Sequence, residues 1–300
     1  MKKIGCFSIV AIILLAVGFG LGYYDWDAMD VPEYGVLPPE ILELGAGDAA
    51  SPKVLHLRLV DEIGPQSEDL LIDIRKATGD DTIDGIYLEL DTPGGEVTMS
   101  DMLADALMRF RESDTNRFVV AHMLSECCSG GYYVASGADV ILAHPTTMTG
   151  SIGVIMSTVN AAELANKLGV KSVAIATGGN KNMLDPLEPV DEKHVEIFRK
   201  VLASDYERFV ETVATSRRLP VEKVRELADG RVFSAAEARA LGLIDEICYF
   251  EDALSVLESL AGVKDGAYRL VRWDRDRSWT DCVREIFELK APSLKLQFRR

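Results

Sequence analysis

Histidine and cysteine are both scarce in this 300-residue chain, at four and five residues. Five cysteines are too few for a disulfide scaffold. Cys127 and Cys128 are neighbours, and a disulfide between neighbours is strained. Cys248 and Cys282 are free to pair in an oxidising compartment, and burial as small residues is the simpler reading for all five. No cysteine or histidine stands at metal-ligand spacing, and neither H-E-x-x-H nor S-x-x-K occurs. Basic residues are also short, with 32 Lys and Arg against 48 Asp and Glu and a net charge of −16. No basic stripe is present, which argues against a nucleic-acid partner. There is no internal repeat.

What the chain does have is one long uncharged run. Residues 4 to 24 of "MKKIGCFSIVAIILLAVGFGLGYYDWD" carry no charge. As a helix they would span ~31 Å, close to the thickness of a bilayer core. Lys2 and Lys3 precede the run, and Asp25 and Asp27 follow it. That asymmetry predicts an uncleaved anchor over 1–24, with residue 1 cytoplasmic and the rest extracytoplasmic. A cleaved signal peptide is the rival reading, without a clear A-x-A site to support it. Either way the bulk of the protein lies outside the cytoplasm, and the lipid bilayer is an expected partner.

Residues 25–52 are rich in Pro, Gly, Ala and acid and read as a linker. From residue 53 short β-branched runs alternate with helical stretches. The runs 54–60, 86–90, 117–123, 139–144 and 171–177 read as strands. The stretches 100–112 and 160–169 read as helices. This alternation predicts a parallel α/β sheet with crossover helices. Beyond residue 187 the pattern is mostly helical, and "SAAE" (234–237) reads as a capping box with Ser234 as N-cap. The segment 266–300 reads as a strand, a short helix and a tail.

Four glycine-containing segments could carry chemistry. In "LELDTPGGEV" (88–97) a strand runs into Gly94 and Gly95, where backbone N–H groups can turn toward a developing oxyanion. In "CCSGGYYVASGAD" (127–139) Ser129 falls at a strand-to-helix corner with Gly130 next, and Cys128 is a rival nucleophile. In "TMTGSIGVI" (147–155) Ser151 could hold another polar side chain. In "ATGGNKNMLDPLEP" (176–189) Lys181 follows a glycine pair. A lysine can accept a proton only when neutral, and only a dry pocket brings the ammonium from about 10.4 toward 7–8. Tight turns and a solvated lysine would explain the same residues structurally. His56 and His122 lie on expected strands, His144 just after one and His194 on a helix, so nothing local supports a Ser-His-Asp triad.

Taken in order, "DTPGGEV", "CSGGYYVAS", "TGSIGV", "GGNKNMLDP" and "ADGRVFSAAEARALGLIDEI" resemble the signal peptide peptidase A family, over about residues 53–262. These are membrane-anchored serine proteases. The resemblance implies a Clp protease/crotonase-like α/β fold of repeated ββα units, with the peptidase domain over 53–265. It implies a Ser-Lys dyad, with Ser129 as nucleophile, Lys181 as general base and Ser151 orienting the lysine. Gly95 and Gly130 would be the oxyanion-hole donors, with Gly94 shaping the loop. It calls for no cofactor. It implies cleaved signal peptides and other hydrophobic peptides as substrates, and a homo-oligomer. The sequence departs from the family in "DTPGG", where Asn-Ser-Pro-Gly-Gly is common, and in Cys127 and Cys128 before the serine. A cytosolic Clp protease would want a histidine about 25 residues after the serine, where Val154 stands. Two other classes remain open: a non-catalytic membrane scaffold of the same fold, and an acyl-CoA enzyme using Glu96 or Glu126.

Overall fold

The computed structural model describes residues 40–273. The expected anchor over 1–24, most of the linker, and the expected helix and tail beyond Trp273 lie outside these residues, as do Cys6 and Cys282. Among the described residues no helix is long and apolar enough to cross a membrane.

The centre of the fold is a run of parallel strands: β2 (Lys53–Val60), β3 (Gly85–Thr92), β4 (Phe118–Cys128) and β5 (Val140–Ala143). β3 is buried along most of its length, with Ile86, Tyr87, Leu88 and Leu90 fully buried, as suits a strand covered on both faces. β2 alternates. Leu55, Leu57 and Leu59 enter the main core, while the residues between them face the other side of the sheet. Parallel neighbours need a crossover. Here helices α1 (Glu68–Thr78), α2 (Val97–Glu112) and α3 (Gly130–Ala135) supply it in turn. The long strands are thus joined by helices, and beyond them short parallel pairings follow, Ile63 with Gly95 and Glu126–Cys128 with Met148–Gly150.

Past β5 come β6 (Met148–Gly150), α4 (Ala162–Leu168), α5 (Glu192–Arg217), α6 (Val221–Leu227) and β7 (Val232–Ser234). The chain continues through α7 (Ala235–Ala240), β8 (Glu246–Ile247), α8 (Phe250–Leu260) and β9 (Arg269–Trp273). The sheet runs β1–β9–β2–β3–β4–β5–β8, where β1 is Glu40–Leu44, and β6 pairs with the end of β4 and with β7. β1 pairs antiparallel to β9 and β7 antiparallel to β6, so the sheet is mixed. Residues 40–44 and 269–273 thus join the sheet from either side of the stretch 53–265.

α1 and α2 press Leu71, Ile74, Leu103, Leu107 and Phe110 onto one face of the sheet. α8 covers a smaller cluster on the other, around Tyr87, Val120 and Leu142. The capping box at the start of α7 forms as the sequence predicts: Glu237 N–H donates to Ser234 Oγ, and Ser234 N–H donates to the Glu237 carboxylate.

One expected strand is missing. Residues 171–177 are neither strand nor helix, and Val173 and Ile175 are 84% and 99% exposed. Among the described residues no strand pairs with the segment, so its alternating pattern has no ladder to join there. β-propensity is realised only against neighbours.

The main core depends on Phe110, which is fully buried between α2 and the sheet. Phe110→Ala should lower the unfolding free energy by about 3–5 kcal/mol, read from the midpoint of a urea titration.

Candidate active site

β2, β3 and β4 all end on the same side of the sheet, and the loops that follow converge there. β4 ends at Cys128 and α3 begins at Gly130, so Ser129 alone makes the turn. Its φ of 51° and ψ of −118° are unusual for a residue with a side chain. The bend is held from two sides. Ser129 N–H donates to the Gly150 carbonyl at 2.8 Å, and the Ser129 carbonyl accepts from Tyr133 N–H at 3.0 Å.

The glycine pair after β3 packs directly against this corner. Thr92, fully buried, accepts Gly94 N–H on its hydroxyl at 3.1 Å. Ile63 then bridges the loop, donating to the Gly94 carbonyl and accepting from Glu96 N–H, both at 2.8 Å. This bridge uses the residues on either side of Gly95 and leaves the Gly95 N–H unused by it. Gly94 has a φ of 101°, and a Cβ there would lie 2.8 Å from both Ser129 Cβ and Gly130 N. A Cβ on Gly130 would lie 3.3 Å from Gly95 N and 2.4 Å from Ser100 Oγ. The N–H groups of Gly95 and Gly130 therefore stand close together beside Ser129. The Gly130 N–H opens a helix, where no intrahelical acceptor exists.

Ser151 arrives by strand pairing. β6 runs parallel to the end of β4 with Cys128 opposite Gly150, so Ser151 follows immediately beside Ser129. Its φ is 49°, and its N–H donates to the Arg231 carbonyl at 2.8 Å. Thus Ser129, Ser151, Gly94, Gly95 and Gly130 share one corner of the sheet. Lys181 does not join them through any hydrogen bond among the described residues. It lies between α4 and α5 on an exposed stretch, its own N–H turned to the Gly178 carbonyl at 3.1 Å.

No histidine is bonded to Ser129 among the described residues. His122 is buried, with Nδ1 2.7 Å from the Tyr87 hydroxyl. His56 faces Glu89 at 3.4 Å, His144 bonds Thr146, and His194 lies in α5. The cysteines are poor rivals. Cys127 and Cys128 are successive strand residues, so their side chains leave on opposite faces. Burial, with Glu126 nearby, pushes the Cys128 thiol up to about 11, and burial raises Cys127 as well. A thiol that stays protonated is a weak nucleophile.

Both departures in "DTPGG" keep working groups. Thr92 supplies the hydroxyl that holds Gly94. Asp91 Oδ1 accepts Glu126 N–H at 3.1 Å, tying the end of β3 to the end of β4. The sequence reading passed over Thr92, Asp91 and Ser100, although the first two stand inside the motif it quoted. Beside the glycine loop a cleft of about 410 Å³ is lined by Val60, Asp61, Asp91, Pro93, Glu126 and Met148. Among the described residues no group of His, Cys, Asp and Glu is arranged to hold a metal ion.

Comparison with known proteins gives a family to the part of the chain that holds Ser129, Gly130, Ser151 and Lys181. The model of peptidase family S49 matches residues 111–264. A provisionally named signal peptide peptidase SppA of Enterococcus faecium is 35% identical over 191 residues, covering 64% of this chain and 55% of that protein. The chain thus spans little more than half the length of that relative. A provisionally named protease of Synechocystis is 33% identical over 211 residues, covering 70% and 75% of the two chains. Among solved structures, a ClpP1 variant from Listeria monocytogenes superposes with a TM-score of 0.45 at 18% identity, over 66% of this chain and 94% of that one.

The thiol environments are directly testable. At pH 7.5 Cys128, at about 11, should be less than about a thousandth thiolate. Iodoacetamide labelling mapped by mass spectrometry should therefore find Cys127 and Cys128 protected in the native protein and modified rapidly in urea. Rapid native labelling of either would contradict their burial.

Proposed function

The chain belongs to peptidase family S49, and from that premise we propose that it is a serine endopeptidase in which Ser129 attacks and Lys181 takes its proton. The observation that carries the reading is the corner itself. A serine held at positive φ on a strand-to-helix turn has two backbone N–H groups, from Gly95 and Gly130, standing beside it. As Ser129 Oγ bonds to the peptide carbonyl carbon, its proton passes to neutral Lys181 Nζ. The oxyanion is held by the two N–H groups. Collapse breaks the C–N bond, and Lys181 returns the proton to the leaving amine. Water, deprotonated by the same lysine, then hydrolyses the Ser129 ester. Ser151 orients the lysine.

The substrates proposed are cleaved signal peptides and other hydrophobic peptides. The proposed setting is a single-pass anchor over residues 4–24 with the peptidase domain extracytoplasmic. The uncharged run and its flanking charges support this. A homo-oligomer completes the proposal. Ile155, Val159, Leu164, Leu168, Val173 and Ile175 are all exposed in one chain, on the segment that leads to Lys181. Covering them with a second copy would supply the dry surroundings a lysine base requires.

Turnover of a fluorogenic apolar peptide by the full-length protein in detergent tests the dyad. Ser129→Ala and Lys181→Ala should each lower kcat/KM by at least about 10³-fold with the fold intact. Full activity in Lys181→Ala would place the base elsewhere. Ile175→Asp should lower the mass seen by analytical ultracentrifugation and reduce turnover with it. An unchanged mass would remove that segment from the interface.

A further inference from the structure

The nucleophile segment carries two tyrosines that the mechanism above does not use. They are tied down in different directions. Tyr132 is fully buried, and its hydroxyl donates to the Leu243 carbonyl at 2.7 Å, anchoring α3 to the loop ahead of β8. Tyr133 reaches the other way. Its hydroxyl donates to Asp101 Oδ1 at 2.6 Å, and its ring lies 4.9 Å from that of Phe209 on α5. Arg208, also on α5, forks over the same carboxylate, with Nε at 2.7 Å from Oδ1 and Nη2 at 3.0 Å from Oδ2. Thr212 Oγ1 stands 3.1 Å from the Tyr133 hydroxyl.

Three helices therefore meet at one carboxylate, and two of them begin at the site. α2 starts just after Gly95, and α3 starts at Gly130. Gly130 lies in the first turn of α3 and Gly95 two residues ahead of α2, so the separation of those two N–H groups follows the approach of the two helix starts as well as the Ile63 bridge. Ser100, beside Asp101 in sequence, already touches the Gly130 position. The Tyr133–Asp101 bond closes the gap one turn further along. Burial opposes ionisation of Asp101, but Arg208 and Tyr133 outweigh it and hold its pKa below the usual range. The acceptor is thus a carboxylate, and its bond from Tyr133 is short and charge-assisted. Two donors stabilise an oxyanion only when both lie near 3 Å from it, so a small shift of either helix weakens the pair.

We infer that Asp101 is a positioning residue for the oxyanion pair: it holds Gly95 through its own helix and Gly130 through the Tyr133 hydroxyl, at the spacing a tetrahedral oxyanion requires. This rests on the reading of Ser129 as a peptidase nucleophile. It gives the second tyrosine a role in the reaction rather than in packing alone.

The test compares Tyr133→Phe, Asp101→Asn and the double variant in the full-length protein. Tyr133→Phe removes one hydroxyl and keeps the ring against Phe209. It should lower kcat about tenfold with KM within about twofold. The affinity for a peptide boronate, which forms a tetrahedral adduct on serine, should fall by about the same factor. Asp101→Asn should lower kcat as well, and the double variant should be no worse than the poorer single one, because both act through one bond. Unchanged kcat and boronate affinity in Tyr133→Phe would overturn the inference. So would losses that appear only in the thermal midpoint, or effects that multiply in the double variant. A parent protein without Ser129-dependent turnover or boronate binding would overturn the peptidase reading itself, and this inference with it. An active parent with an indifferent Tyr133→Phe overturns this inference alone.

Discussion

The bond from Ser129 N–H to the Gly150 carbonyl is the constraint on which the site depends. A serine at φ 51° costs on the order of 1–3 kcal/mol relative to an ordinary conformation, and persists only where neighbours over-determine it. Here they do. β6 is only three residues long, yet it pairs with β4 on one side and β7 on the other, and Thr149 Oγ1 adds a bond to the Cys127 carbonyl at 2.7 Å. β4 is the longest of the described strands, and Cys127 and Cys128 at its end are buried. The strain at Ser129 is therefore carried by paired strands on either side of the turn. The same pairing that bends Ser129 brings Ser151 beside it.

The glycines follow from this corner. With Ser129 fixed, the loop after β3 must pass within contact distance of it, and no side chain fits at Gly94. Ile63 and Thr92 then fix the loop from behind. They do so with backbone and hydroxyl bonds that do not use the Gly95 N–H. The proposed oxyanion pair would thus need little help from charged side chains. That is consistent with a site bordered by Asp61, Asp91 and Glu126, which would repel a free anion but not the neutral carbonyl of a peptide.

What was legible in the sequence divides along the same physical line. β2 to β5 and α2 were readable because their apolar periodicity is satisfied within the chain. The Ser234 cap was readable because capping is local. Gly94, Gly95 and Gly130 were readable as interruptions of that periodicity just after strands. Segment 171–177 has a strand's pattern but no strand partner among the described residues, and the pattern alone cannot tell a paired strand from an unpaired one. Asp101 was invisible for the opposite reason. It is a polar residue on a polar helix face, and its meaning comes from Tyr133 and Arg208, both far away in sequence.

α5 shows how these two kinds of residue are joined. It is 26 residues long, or ~39 Å. Its buried residues, Phe209, Val210, Val213 and Ala214, all lie in its last third, while Ile197 and Val201 nearer the start are exposed. The helix is thus gripped at one end by the core. Arg208 sits where the gripped part begins, holding the carboxylate that Tyr133 also uses. The exposed part leads back to the segment that carries Lys181 and the unpaired apolar run. A rigid helix cannot move at one end without loading the other. A partner chain that covers the exposed half would therefore act on Arg208, and through Asp101 on the spacing of the two N–H groups. If the proposed homo-oligomer covers that half, assembly and the spacing of the proposed oxyanion pair would be linked through one helix.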